Sequence, residues 1–248
     1  MDSHKIILWT VALLPVLVLA LFVYYKDKFG KEPVWMLVKA FFGGFLAVFL
    51  AIPLESFLSG FTPGASPIQG VYTGFVVAGF SEELVKLLVL MLFVWRSRHF
   101  DEYFDGIVYA VYVGLGFACL ENIGYVFNTS SFNTSLTTAV MRALLSVPGH
   151  FLFAVTMGYY LARAKFDKSR RAGHLLKALA YPLLLHGTFD ALLMVSDSLQ
   201  GTWLYPVAVV LFVLFIRFDI RMWKKGVYKI RLMQERSHMQ ETDRINGW

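Results

Sequence analysis

The stretch Gly79-Phe-Ser-Glu-Glu-Leu-Val-Lys-Leu-Leu88 lies in the middle of an apolar run from about residue 71 to residue 94. With a helical rise of about 1.5 Å per residue, Glu82, Glu83 and Lys86 would lie near the centre of a hydrocarbon layer ~30 Å thick. A charge at that depth costs at least ~2.5 kcal/mol. Lys86 can share a helix face with both carboxylates, but one ammonium neutralises only one of them. The surplus acid must face a polar interior, so this stretch predicts a functional site inside the membrane.

The composition is that of an integral membrane protein. The 248 residues are 57% hydrophobic and only 16% charged, which is more apolar surface than a soluble domain carries. The one cysteine, Cys119, lies in a predicted span, which excludes an intramolecular disulfide and a cysteine-based metal site. The net charge of +6 comes from residues in alternate loops, so it indicates membrane topology and no nucleic-acid partner.

Seven apolar segments are long enough to predict transmembrane helices, and no internal repeat is evident. They cover residues 6–25, 34–54, 70–95, 104–127, 138–162, 174–195 and 203–222. Lys and Arg residues occupy every second connection, whereas connections 55–69, 128–137 and 196–202 have none. The predicted fold class is therefore an all-α polytopic membrane protein of about seven transmembrane helices, with the N-terminus outside and the C-terminus in the cytoplasm.

Further polar side chains lie inside the predicted spans at one common height. They are Glu121 and Asn122 in the fourth segment, His150 after Pro148-Gly149 in the fifth, and His186 and Asp190 in the sixth. Counting from the loops places them between the midplane and the outer leaflet. Glycines in the same spans allow close helix packing: Gly79, Gly114, Gly116, Gly124, Gly158 and Gly187. We therefore expect one small water-filled cavity that is shared by these polar side chains.

Several of these residues also have a purely structural interpretation. Lys86 with one Glu can be an ion pair that fixes helix register, and Asn122 can be an interhelical hydrogen-bond donor. Arg142 is interpreted as an interface anchor that reaches outward. Residues at the predicted membrane edges are expected to be solvated: Glu55, His99, Asp101, Glu102 and Asp105. The convergence of acids and imidazoles from four segments nevertheless favours a functional site.

Carboxylates and imidazoles in one cavity can activate water by two routes. In the first, a Glu acts as general base while a His stabilises the developing oxyanion. In the second, His150, His186 and a carboxylate such as Glu83 hold zinc or another divalent metal. Neither His-Glu-x-x-His nor Gly-x-Ser-x-Gly occurs. A proton- or ion-coupled transporter also uses buried acids and imidazoles, but the odd helix number and the lack of inverted repeats disfavour it.

The motifs resemble, in order, those of the PrsW family of bacterial intramembrane proteases. They are Glu82-Glu83-x-x-Lys86, Phe117-x-x-x-Glu121-Asn122, a lone His150 and His186-x-x-x-Asp190, after a first loop, Tyr24-Tyr-Lys-Asp-Lys-Phe-Gly-Lys-Glu-Pro33. The resemblance covers roughly residues 20 to 195. That family is similar to the CAAX-prenyl-protease-like glutamic membrane proteases, in which a His stands where this chain has Glu121.

The resemblance implies an intramembrane endopeptidase in the cytoplasmic (inner or plasma) membrane of a bacterium. It implies a catalytic site of Glu82, Glu83, Glu121, His150, His186 and Asp190, with Lys86 and Asn122 in support. Members have been labelled both metalloproteases and glutamic proteases. We favour the glutamic mechanism, with no cofactor, because a Glu pair without a recognised zinc motif needs no metal; zinc or another divalent metal is the alternative.

The resemblance also implies the substrate class and the domain organisation. Substrates would be single-span membrane proteins such as anti-sigma factors, cut near the outer face in response to envelope stress. Residues 1–227 are expected to form a single transmembrane protease domain in the lipid bilayer. Residues 228–248 are polar, which predicts a cytoplasmic tail that is a frayed helix or disordered.

Overall fold

The computed structural model describes residues 3–64, 67–200 and 204–246, and all regular elements within these ranges are helices. The predicted all-α class is therefore confirmed. The elements are α1 (Ser3–Lys26), α2 (Val34–Ser59), α3 (Ile68–Tyr72), the π-helix π1 (Thr73–Phe80), α4 (Ser81–Phe93), α5 (Asp105–Phe127), α6 (Phe132–Met141), the π-helix π2 (Arg142–Ser146), α7 (Val147–Phe166), a 3₁₀ turn (Lys168–Arg170), α8 (Arg171–Ser198) and α9 (Tyr205–Asn246).

Five helical stretches among the described residues are long and apolar enough to cross a membrane: Ser3–Lys26, Val34–Ser59, Asp105–Phe127, Phe132–Phe166 and Lys168–Ser198. The other two predicted spans, 70–95 and 203–222, are not among these five stretches, and each has a physical reason. The predicted span 70–95 lies in a helical path that π1 divides into short pieces. The apolar part of α9 contains Arg217, Asp219 and Arg221, and residue 203 lies outside the described residues. The number of seven spans and the orientation of the termini stay predictions.

The loops give the bundle two distinct ends. Loops 27–33 and 94–104 and the turn after α7 contain Lys and Arg, and we call their side the basic end. The loops that follow α2, α5 and α8 contain neither residue within 60–67, 128–131 and 199–204, and we call their side the neutral end. The positive-inside rule predicts that the basic end faces the cytoplasm.

α5 is the central helix, and it packs against α2, α7 and α1. A side chain on Gly116 would have its Cβ only 1.9 Å from the carbonyl oxygen of Phe41 in α2. The expectation of close packing is thus confirmed at Gly116. It is wrong for Gly124, since no atom beyond the adjoining backbone of α5 lies within 4 Å of a Cβ built there. The tight contact at Gly116 holds α5 against α2 and so fixes the helix that contains Glu121.

Both π-helices directly precede residues of the predicted site. π1 ends one residue before Ser81-Glu82-Glu83, and π2 ends just before α7, whose first turn contains Pro148 and which continues into His150. A π turn adds a residue to the helical repeat and rotates the side chains that follow it, and such turns are frequent at functional sites. The direction in which these side chains point is therefore set by the π turns as well as by the α-helical period.

α9 continues without a break through the predicted tail as far as Asn246, the last described residue. Ile230 and Met233 are buried against the core, and Ser237 accepts a hydrogen bond from the backbone N–H of Phe104 at 2.9 Å. The expectation of a frayed or disordered tail is therefore wrong, because this polar helix has an apolar stripe that packs on the bundle. The domain boundary after residue 227 stays a prediction, and no break in α9 marks it.

The basic end contains buried acids. Glu102 and Asp105 are only 3% and 0% exposed, so the expectation that they are solvated is wrong; the Asp101 side chain is 56% exposed, as expected. In loop 27–33, burial raises the pKa of the Asp27 carboxyl to about 6. Burial, followed by the charges of neighbouring carboxylates, raises the pKa of Glu32 to about 7. Charged carboxylates are thus held there at a cost.

Candidate active site

The two adjacent glutamates at the start of α4 share one ammonium group. Glu82 and Glu83 are 5% and 0% exposed. The Lys86 Nζ lies 3.0 Å from Oε2 of Glu82 and 2.8 Å from Oε1 of Glu83. It also lies 4.0 Å from the centre of the Phe117 ring. The ion pair that the sequence indicates is present, and the one ammonium contacts both acids.

His150 connects this pair to α5. Its Nδ1 is 3.2 Å from the Lys86 Nζ, and its Nε2 is 2.9 Å from Oε2 of Glu121. An ammonium can only donate, so Nδ1 must accept and Nε2–H must donate to the carboxylate. We assign the neutral imidazole to His150 from these partners.

His186 lies between two carboxylates. Its Nδ1 is 3.0 Å from Oε1 of Glu83, and its Nε2 is 3.3 Å from Oδ2 of Asp190. Both neighbours are acceptors, so both ring nitrogens donate when the imidazole is protonated. The ring stacks on Phe153 with its centre 4.7 Å away. The arrangement suits an imidazolium, in contrast to His150.

A close approach of π1 and α8 brings His186 to Glu83. A Cβ on Gly74 would lie 2.7 Å from the backbone nitrogen of Ala191 in α8, and a Cβ on Gly79 would lie 3.1 Å from the backbone nitrogen of Gly187. A larger residue at position 74 or 79 would therefore push the two helices apart. The glycines adjacent to the functional residues are what allow hydrogen-bond distances between side chains of different helices.

Arg142 points into the site, so its interpretation as an outward anchor is wrong. It donates to Oε2 of Glu121 at 2.8 Å and, through Nε, to Oδ1 of Asn122 at 3.0 Å. The guanidinium is paired with the carboxylate of Glu121 inside the bundle, whereas the guanidinium of an interface anchor would lie among headgroups and water. Asn122 in turn donates to the carbonyl oxygen of Ala12 in α1 at 2.7 Å. This contact agrees with its interpretation as an interhelical hydrogen-bond donor.

A cavity of ≈ 800 Å³ adjoins this network. Five of the six predicted catalytic residues line it: Glu82, Glu121, His150, His186 and Asp190. Glu83 and Lys86 lie behind this wall. Glu55, which the sequence places at a solvated edge, is half-buried in the wall instead. Glu121 and Asp190 lie in the halves of α5 and α8 nearer to the neutral end, as the count of depths predicts.

The network contains one more acid than it contains cations. The network contains four carboxylates, those of Glu82, Glu83, Glu121 and Asp190, and three cationic groups, those of Lys86, Arg142 and protonated His186. Within the described residues, no hydrogen-bond donor contacts the Glu82 Oε1. One acid is therefore uncompensated, and of the two adjacent glutamates it is Glu82 that lines the cavity.

The polar residues around Lys86 include side chains of the kinds that bind metal ions. Glu82, Glu83, His150 and His186 each offer a ligand atom, all within 4.8 Å of one another, and these are donor types that zinc accepts. The Lys86 ammonium, however, lies at hydrogen-bond distance from three of the four. An ammonium has no lone pair to offer and repels a divalent cation. As arranged, these residues do not fit a metal ion.

Comparison with known proteins identifies the family. A family model described as PrsW family intramembrane metalloprotease matches residues 32–217. The chain belongs to the PrsW family. Proteins named Protease PrsW are similar to it over most of their length: that of Clostridioides difficile (strain 630) is 37% identical over 229 residues, covering 91% of each chain. That of Bacillus subtilis (strain 168) is 34% identical over 227 residues, covering 91% of this chain and 95% of the relative.

A third relative, Protease PrsW of Geobacillus kaustophilus (strain HTA426), is 35% identical over 217 residues, and the match covers 88% of each chain. No solved structure matches the chain. The family and the location in a bacterial membrane, both predicted from the sequence, are therefore confirmed, and the chain is a homologue of intramembrane proteases.

Two residues of this PrsW family member reach the cavity although the sequence analysis left them out of the site. Arg142 lies inside a predicted span, and a charge at that position usually faces the interior of the bundle. Glu55 follows the buried Ala51 by four residues on α2, so both share a helix face. Its depth in a predicted span was thus a signal for Arg142, and its helical spacing from Ala51 was a signal for Glu55.

Proposed function

We propose that the chain is a metal-independent intramembrane endopeptidase that cleaves single-span membrane proteins, with anti-sigma factors as the substrate class that the PrsW resemblance implies. The observation that carries the proposal is that Glu82, whose Oε1 accepts no hydrogen bond among the described residues, lines a cavity that two imidazoles also line. A carboxylate held near histidines and away from bulk water is suited to general-base catalysis.

The mechanism follows from the positions of Glu82 and the two histidines. Glu82 takes a proton from a water molecule in the cavity, and the resulting hydroxide attacks the carbonyl carbon of the scissile peptide bond. The Nδ1 atoms of His150 and His186 both lie 4.0 Å from Oε2 of Glu82. Because His150 is neutral and its Nδ1 accepts from Lys86, the positive charge that stabilises the developing oxyanion is that of the His186 imidazolium. Glu82 then gives the proton to the peptide nitrogen, the C–N bond breaks, and a carboxylic acid and an amine leave.

The remaining polar residues position this apparatus. Glu83 and Asp190 hold His186 from its two sides, and Glu121 holds His150. Lys86 fixes Glu82 and keeps a proton donor against the Nδ1 of His150. Fixed partners of this kind keep the reacting groups in place at no cost during the reaction.

The cavity wall supports access for a transmembrane segment from the lipid. Phe49 and Ile52 of α2 and Met194 of α8 line the cavity, and they are 63%, 53% and 38% exposed. Apolar side chains that contact both the cavity and the exterior favour a lateral opening between α2 and α8. A helix in the bilayer can approach such an opening without crossing the polar interface.

The test is cleavage of a single-span reporter by the purified chain in liposomes, with the cut site determined by mass spectrometry. We expect a cut within the half of the reporter span that lies toward the neutral end of the bundle, because the catalytic residues lie there. An intact reporter combined with dissipation of a pH gradient across the same liposomes would instead support an ion-coupled transporter.

A further inference from the structure

A second group of acids lies at the basic end, separate from the cavity. It consists of Glu32 from loop 27–33, Asp101 and Glu102 from loop 94–104, and Asp105 at the start of α5, with Asp27 next to them. One oxygen from each of Glu32, Asp101 and Asp105 lies within 4.8 Å of the others. We call these residues the acidic cluster. Two separate segments of the chain supply it, loop 27–33 and the stretch from loop 94–104 into α5.

Two carboxylate oxygens of the acidic cluster are buried without a partner. Asp105 accepts through Oδ2 from the backbone N–H groups of Asp101 at 3.0 Å and Glu102 at 2.6 Å. The Asp105 Oδ1 and the Glu102 Oε2 are buried and accept no hydrogen bond among the described residues. A buried acceptor without a donor costs about 1–3 kcal/mol, and more when charged. Such atoms in a native fold call for an explanation, and a bound ion is one that also balances their charge.

Protein cations do not neutralise the interior of the cluster. Arg244 of α9 contacts Asp101 at 3.1 Å, but this pair lies at the exposed rim. Within the described residues, no Lys or Arg forms an ion pair with Glu32, Glu102 or Asp105. The Tyr109 hydroxyl donates a hydrogen bond to Glu32. Apart from backbone N–H groups that donate to Asp27 and Asp105, this phenol is the donor that the described residues offer to the buried acids.

We propose that the acidic cluster binds one hard divalent cation of the Mg²⁺ or Ca²⁺ class, with Glu32, Asp101 and Asp105 as ligands and Glu102 beside them. The donors are all carboxylate oxygens, which suit these ions, whereas the imidazoles of the active-site group suit zinc. The cation supplies the positive charge that the unpartnered oxygens of Asp105 and Glu102 lack. This inference does not depend on the proposed peptidase activity.

The cation would join parts of the chain that are distant in sequence. Loop 27–33 contributes Glu32, loop 94–104 contributes Asp101, and α5 contributes Asp105. The end of α9 reaches the same place, because Gln240 donates to the carbonyl oxygen of Asp101 at 2.8 Å. These ligands meet only in the folded chain, so binding stabilises the fold and ties α9 to the loops.

The test uses the full chain in lipid nanodiscs after treatment with a chelator. Thermal unfolding is followed with Mg²⁺, Ca²⁺, Mn²⁺ or Zn²⁺ added singly, and Mn²⁺ binding is measured by electron paramagnetic resonance. Asp105→Asn and Glu32→Gln are compared with Asp197→Asn, an exposed residue near the neutral end. Both test variants keep a side-chain acceptor, so the backbone contacts of Asp105 and the Tyr109 contact of Glu32 can persist.

We expect Mg²⁺, Ca²⁺ or Mn²⁺ to raise the unfolding temperature of the wild type and of Asp197→Asn, with one Mn²⁺ bound per chain. The affinity for Mn²⁺ should fall by about tenfold or more in Asp105→Asn and Glu32→Gln. The proposal is overturned if the wild type binds no Mn²⁺, or if both variants bind it as tightly as the wild type. Stabilisation by Zn²⁺ alone would equally overturn it, since this would point to the group of Glu82 and His150.

Discussion

Glu82→Gln is expected to lower the rate of reporter cleavage by about 10²- to 10⁴-fold, the usual contribution of a general base. Gln retains the shape of the side chain and an oxygen that can accept from Lys86, but it cannot take a proton from water. Insertion and folding should therefore be unchanged. The measurement is the initial rate in liposomes at equal protein, with Glu235→Gln, an exposed site on α9, as the matched control.

Glu83→Gln distinguishes the roles of the two adjacent glutamates. Glu83 is fully buried and does not line the cavity, so we expect a smaller loss of rate and an altered pH profile, because His186 loses a charged partner. If Glu82→Gln cleaves at the rate of the wild type while Glu83→Gln is inactive, the assignment of Glu82 as base is wrong.

Lys86→Met is expected to destabilise the folded chain by about 3–5 kcal/mol, the usual cost of removing one partner of a buried ion pair. The ammonium contacts Glu82, Glu83 and His150, so its loss leaves two buried acids without their shared cation. Cleavage should also be lost. Unfolding in mixed micelles measures the first effect and the reporter assay the second.

Two further variants distinguish the loss of the buried ion pair from a non-specific effect of replacing a Lys by Met. Lys177→Met, at an exposed position of α8, should change the free energy of unfolding by no more than about 0.5 kcal/mol. The double variant Glu83→Gln with Lys86→Met removes an acid together with the cation, so it should regain much of the stability without regaining activity. A double variant no more stable than Lys86→Met alone would show that Glu83 and Lys86 do not interact as described.

Much of the fold follows from the sequence because hydrophobic length and the placement of Lys and Arg are direct consequences of the bilayer. The all-α class and the helices from Asp105 to Ser198 were predicted on these grounds and agree with the structure to within several residues at each end. The sequence could not predict that α9 packs along the bundle past Tyr228, because that helix is polar and its stripe of Ile230 and Met233 is narrow.

The site was predicted in its composition but not in its connections. The common depth of Glu82, His150 and His186 follows from counting residues, and the structure brings these three side chains together. The inward direction of Arg142 does not follow, since π2 begins at that residue and changes the helical repeat. The buried state of Asp105 was missed because it depends on loops 27–33 and 94–104 folding over it.

Cleavage by a chain freed of transition metals tests the central claim most directly. Zinc and related ions are removed with a zinc-selective chelator while Mg²⁺ is kept present for the acidic cluster, and residual metal is measured by plasma mass spectrometry. If Glu82 activates water alone, the stripped chain cleaves the reporter at the rate of untreated protein with far less than one transition-metal ion per chain. Cleavage that disappears on stripping and returns in proportion to added zinc would contradict the account.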